Sequence, residues 1–245
     1  MRISIIVPCY NEQAVLKLFY VEIVKVLEKI TNNYELLFVD DGSQDSTLSI
    51  IKTLCINNSH IKYIAFSRNF GKEGAVFAGI AQAEGDCIAV MDCDLQHPPE
   101  TLIKMYRLWE DGYQVIEGVK ASRGRESFIH KMFAKTFYSI ISDATGIDMS
   151  RASDFKLMDR QAAEEFLKLP ERNVFFRALS SWVGFKTTYV EFDVQEREAG
   201  ESKWSFKSLV RYAVNNITSF SAAPMQIVTF FGVVFFVFAV LLGIQ

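Results

Sequence analysis

Between residues 3 and 118, short apolar runs alternate with stretches of helical periodicity, and that alternation leaves few folds open. Runs at 3–8, 34–39, 61–66, 87–91 and 115–118 read as strands. Residues 12–30, 46–55, 73–83 and a stretch opening at Pro98 read as helices. In the first of these, Val15, Leu18, Phe19, Ile23 and Val26 share one face, and Asp45 or Ser46 caps the second. Repeated strand–helix units imply an α/β fold, a mainly parallel sheet with helices on both faces. Such sheets bind ligands at the carboxyl ends of their strands. The polar residues fall there: Asn11-Glu12, Asp40-Asp41, Arg68-Asn69, and Asp92 with Asp94, after the first four strands in turn. One shared site is implied.

A chain of 245 residues can build one large core. Its net charge of −3 does not advertise a polyanionic partner, and no nucleic acid is expected; affinity for phosphate must come from local patches. Cys9, Cys55, Cys87 and Cys93 form no C-x-x-C pair and sit in apolar surroundings. They read as reduced thiols of a cytosolic compartment.

The pattern changes after residue 120. Residues 120–135 carry five Lys/Arg against one Glu, beside an apolar stripe of Phe128, Ile129, Met132, Phe133 and Phe137. In 203–217, Lys203, Lys207 and Arg211 form a basic row, and Phe206, Leu209, Val210, Ala213 and Ile217 an apolar face. Helices of that kind lie in a membrane interface; ordinary surface helices with solvated charges are the alternative for both stretches, less so for the second, which adjoins the hydrophobic span. Residues 227–244 are eighteen in a row without charge, which meets the length of a transmembrane helix. The expected organisation is a catalytic domain over 1–200, an amphipathic juxtamembrane helix over 201–221 and a transmembrane helix over 222–245, with further spans expected beyond Gln245. Basic residues ahead of the span place the domain on the cytoplasmic face of the inner membrane.

Three motifs carry chemistry. In Asp92-Cys93-Asp94, two carboxylates at a strand end suit Mg²⁺ or Mn²⁺, which prefer oxygen ligands and complete their shell with water and phosphate. A turn with capping aspartates shows the same pattern. In Asp40-Asp41-Gly42-Ser43, a carboxylate can accept from a base or ribose, or the whole cluster can serve as caps. In Pro8-Cys9-Tyr10-Asn11-Glu12, Tyr10 can stack on a base and Glu12 can bind a ring N–H. His97 fits a supporting place behind the metal motif or a purely structural place in its loop.

Taken together over 1–215, these motifs resemble the family-2 glycosyltransferases of the GT-A fold. The segments 92–98 (DCDLQHP), 153–160 (SDFKLMDR) and Arg197-x-x-Gly200-x-Ser202-Lys203-Trp204 are similar to the polyprenyl-phosphate glycosyltransferases, the bactoprenol glucosyltransferases and dolichol-phosphate mannose synthases. The resemblance implies that Pro8, Tyr10, Glu12, Asp40 and Asp41 hold the nucleotide. Asp92, Asp94 and Gln96 would hold the metal. Asp94, Asp154 and Arg197 would be catalytic, and Arg123, Arg125, Lys131, Ser202 and Lys203 would grip the acceptor phosphate or leaving diphosphate. Lys131 stands where Arg is more usual, which weakens a bidentate phosphate grip. The expected reaction is inverting transfer of a hexose from UDP-glucose to undecaprenyl phosphate by a homo-oligomer. Another donor sugar, a glycan hydroxyl acceptor, or a non-catalytic membrane protein that binds nucleotide sugar are the alternatives. The Q-x-x-R-W motif of processive polysaccharide synthases is absent.

Overall fold

The computed structural model describes residues 1–121, 153–169, 176, 184–193 and 223–243. Seven strands form one sheet: β1 (Ile3–Cys9), β2 (Tyr34–Asp40), β3 (Ile61–Ala65), β4 (Cys87–Val90), β5 (Val115–Lys120), β6 (Lys156–Asp159) and β7 (Thr187–Phe192). Their order is β3-β2-β1-β4-β6-β5-β7. β2, β1 and β4 run parallel, as do β3 with β2 and β7 with β5; β6 alone runs against both its neighbours. The helices are α1 (Leu16–Ile30), α2 (Thr47–Asn57), α3 (Lys72–Gln82), α4 (Thr101–Glu110), α5 (Arg160–Leu167) and α6 (Ala223–Gly243).

β1 and β2 are buried nearly throughout because both sheet faces are covered. α1 buries Leu16, Phe19, Ile23, Val26 and Leu27 at helical spacing. Its start lies after the expected residue 12, because residues 12–15 form a turn in which the Glu12 carbonyl accepts from Val15 and Leu16. Ser46 stands at the N-cap of α2 without a side-chain capping bond, and Asp45 Oδ1, one residue earlier, accepts from the Thr47 amide at 2.9 Å. All four cysteines are free, and Cys9, Cys87 and Cys93 are buried.

By contact the chain divides into two units, Met1–Glu126 with Arg151–Ser202, and Ser127–Ser150 with Lys203–Gln245. The first holds the sheet. In the second, α6 is a 21-residue helix without charge whose valine, phenylalanine and leucine side chains are exposed. No helix among the described residues is long and apolar enough to cross a membrane, so the expected membrane-spanning helix over 222–245 is not borne out. The amphipathic stretches expected at 120–135 and 201–221 lie almost wholly outside the described residues.

Candidate active site

The sheet order reverses at β1, which lies between β2 and β4, and in such sheets ligands bind outside the carboxyl ends of the strands at that point. Asn11 follows β1 in the left-handed region at φ 55°, where an asparagine is more at ease than most residues. Its amide donates to Ser43 Oγ at 2.9 Å, and its Oδ1 accepts from the Gln44 amide at 2.8 Å. Glu12 donates its amide to Thr47 Oγ1 at 2.8 Å. The loops after β1 and β2 are thus laced together, with Pro8 and Tyr10 half-buried beside them.

Asp40 and Asp41 divide their work. Asp40 Oδ2 accepts from the Ser43 amide at 3.2 Å, but its Oδ1 is buried without a partner among the described residues. A buried oxygen in that state is an acceptor waiting for a donor. Asp41 grips the next loop instead, accepting from the Phe70 amide at 2.7 Å and the Gly71 amide at 2.9 Å. Burial pushes the Asp41 carboxyl up from its ordinary range, against the pull of those two amides. Gly42 has φ 70°, and a Cβ there would lie 2.5 Å from the Arg68 carbonyl carbon. Gly42→Ala therefore forces the 68–71 backbone to move. It is expected to cost about 1–3 kcal/mol in urea unfolding, with activity falling more than the lost stability explains.

The grip of Asp41 sets the start of α3, and with it Lys72. Lys72 Nζ lies 2.7 Å from Asp92 Oδ1, 2.8 Å from Asp92 Oδ2 and 3.0 Å from Asp154 Oδ2. Asp154 arrives there through the one antiparallel strand. Val90 stands opposite Lys156 in the β4–β6 register, and two further steps along both chains set Asp92 opposite Asp154. Sequence reasoning missed Lys72. Its available signal was a lysine closing the loop after β3 on an edge otherwise rich in carboxylates.

Asp94 Oδ1 accepts from the Gln96 amide at 3.1 Å, across Leu95, which is buried at φ 58°. A left-handed leucine is an uncommon conformation. His97 is buried against Phe155 at 4.9 Å in a stacked arrangement and against Phe192 at 5.3 Å edge-on. Burial lowers its pKa although Asp92 pulls it upward, so the ring is neutral at physiological pH.

Beneath the site, Lys156 and Glu117 form a buried ion pair at 3.2 Å between β6 and β5, with the ammonium 4.9 Å over the Phe176 ring. Arg123, Arg125, Lys131, Arg197, Ser202 and Lys203 lie outside the described residues.

No group of three His, Cys, Asp or Glu side chains that could hold a metal occurs among the described residues. Asp92 and Asp94 still suit Mg²⁺ or Mn²⁺, which commonly take one or two carboxylates and draw the rest from water and substrate phosphate. An ammonium seated on both oxygens of Asp92 marks the place as one that accepts a cation.

The family model "Glycosyl transferase family 2" matches residues 4–167. The "Uncharacterized glycosyltransferase YkcC" of Bacillus subtilis is 41% identical over 234 residues, 95% of this chain and 72% of the relative. The "Prophage bactoprenol glucosyl transferase homolog" of Escherichia coli is 36% identical over 235 residues, 96% and 77% of the two chains. Among solved structures, glucosyl-3-phosphoglycerate synthase from Mycobacterium tuberculosis with Mn²⁺, UDP-glucose and phosphoglyceric acid aligns at TM-score 0.59 and 17% identity. That alignment covers 89% of this chain and 78% of that one. Mannosyl-3-phosphoglycerate synthase from Rubrobacter xylanophilus aligns at 0.61 and 16%, covering 89% and 73%. Those two likenesses bear on the fold alone. The family match and the similarity along nearly the whole chain settle its membership: this chain belongs to the family-2 glycosyltransferases, and it is a glycosyltransferase.

Proposed function

We propose that the chain transfers glucose, with inversion and with Mg²⁺ or Mn²⁺, from UDP-glucose to undecaprenyl phosphate. The product is a lipid-phosphate-linked sugar for modifying cell-surface glycans. The observation that carries this reading is the pairing of Asp92 with Asp154 around one cation, in a chain 36% identical to a bactoprenol glucosyl transferase of Shigella phage SfV.

The unpartnered Asp40 Oδ1 accepts a base N–H or a ribose hydroxyl, with Tyr10 and Glu12 on the adjoining loop. Asp92 and Asp94, with Gln96 beside them, hold the metal. Bound there, the metal supplies positive charge to the departing diphosphate. A phosphate acceptor is already ionised at neutral pH and needs no base, so Asp154 serves to orient Lys72 and the acceptor rather than to take a proton. Arg123, Arg125, Lys131, Arg197, Ser202 and Lys203 are proposed to grip the acceptor phosphate or the leaving diphosphate. The exposed, uncharged surface of α6 supports membrane attachment. The proposal places the catalytic domain on the cytoplasmic face of the inner membrane and takes the enzyme as a homo-oligomer.

The test is transfer of label from UDP-glucose into an organic-extractable product. It uses undecaprenyl phosphate in detergent, with Mg²⁺ or Mn²⁺ and with chelator. The expected outcome is a metal-dependent lipid-linked glucose. A lipid product formed only with another donor would correct the sugar. No lipid-linked product with any donor sugar would sink the proposal.

A further inference from the structure

Lys72 meets Asp92 through both carboxylate oxygens, at 2.7 and 2.8 Å, and keeps a third contact to Asp154 at 3.0 Å. Those Asp92 oxygens are the ones a divalent cation needs. An ammonium on both oxygens competes with a metal for them, because two cations on one carboxylate repel in a half-buried site. Lys72 is not a wandering surface lysine. It is the first residue of α3, and Asp41 fixes the two residues before it by their amides.

We propose that Lys72 is an internal counter-ion, holding Asp92 until a nucleoside diphosphate arrives. The proposal rests on the reading of Asp92 as a metal ligand. Without nucleotide, metal binding must first strip the ammonium from Asp92 and leave it with Asp154. With nucleotide present, the displaced ammonium gains phosphate oxygens, to which it donates charge-assisted hydrogen bonds. Lys72 therefore makes metal binding weak alone and strong with the diphosphate. By linkage, metal must strengthen nucleotide binding by the same factor. The lysine also keeps the acceptor-side carboxylate Asp154 tied to the donor side, so an empty site presents no bare pair of carboxylates to solvent cations.

The measurement is Mn²⁺ affinity, read from the electron paramagnetic resonance signal of free Mn²⁺, with and without UDP. It compares the full chain with Lys72→Gln, Lys72→Met, Lys72→Arg and Arg68→Gln. Lys72→Gln and Lys72→Met are each expected to tighten Mn²⁺ binding without UDP by about ten-fold, and to shrink the enhancement that UDP gives; coupling of this kind typically spans about 5–150-fold. Lys72→Arg keeps the charge and is expected to stay within about three-fold of the parent chain. Arg68→Gln removes a like charge from the same loop and is expected to change Mn²⁺ affinity by less than about two-fold, which separates direct competition from general field. Mn²⁺ binding without UDP that is unchanged or weaker in both Lys72 neutral variants would overturn the inference while leaving the metal reading standing. Absence of Mn²⁺ binding in every chain, even with UDP, would overturn both.

Discussion

Asp92→Asn is expected to lower kcat/KM for sugar transfer by about a thousand-fold, roughly 4 kcal/mol of lost transition-state stabilisation, with little change in folding. The amide keeps the shape of the carboxylate but loses the charge that a hard cation needs. Asp92 sits just past the end of β4 and keeps nearly a third of its side chain exposed, so the fold does not lean on it. Lys72 retains Asp154 when Asp92 is neutralised, so no buried charge is orphaned. Steady-state rates at saturating and limiting Mn²⁺, with melting curves as the folding control, make the check. A loss under about ten-fold at saturating Mn²⁺ would remove Asp92 from the metal site.

Lys156→Met is expected to destabilise the protein by about 3 kcal/mol, because it removes the ammonium that meets the buried Glu117 carboxylate at 3.2 Å. Both partners are almost wholly buried, at 0% and 2% side-chain exposure, so water cannot replace the lost contact. Removing both partners together, as Lys156→Met with Glu117→Leu, is expected to cost less than the single change. Replacing a whole buried pair with apolar groups is often close to neutral. Urea midpoints of the two singles and the double complete the cycle. A double variant that is the least stable of the three would show that the pair contributes net stability.

Much of this architecture can be read from residues 1–118. Apolar runs bounded by turn residues become β1 to β5 nearly where the alternation puts them, since burial on both faces demands such runs. The edges shift where side chains and backbone trade partners, as at residues 12–15, where Glu12 closes a turn before α1 begins. β6 is harder to see: four residues with a lysine at their head do not look like a central strand, and the buried lysine is met by the Glu117 carboxylate and the Phe176 ring. The convergence of loops on one edge was equally legible: β2 and β4 flank β1 in parallel, so Asp40 and Asp92 follow strands that end on the same edge. What the pattern could not divide was labour between neighbours. Asp40 and Asp41 look alike in sequence, yet one keeps a buried oxygen without a partner among the described residues and the other holds the Phe70 and Gly71 amides. Lys72 was invisible for a related reason: its partners lie 20 and 82 residues away, and only the strand order brings them together.

The reversed direction of β6 carries a consequence for folding fidelity. Side chains alternate along a strand, so a slip of one residue would exchange the two faces. Lys156 would then leave Glu117, and Asp154 would leave its place opposite Asp92 in the same movement. A misaligned sheet would part the buried Lys156–Glu117 pair as well as separate Asp154 from Lys72 and Asp92. The charged residues of this short strand thus act as a checksum, letting the chain reject at folding the misthreaded forms that would otherwise persist as intact but inactive protein.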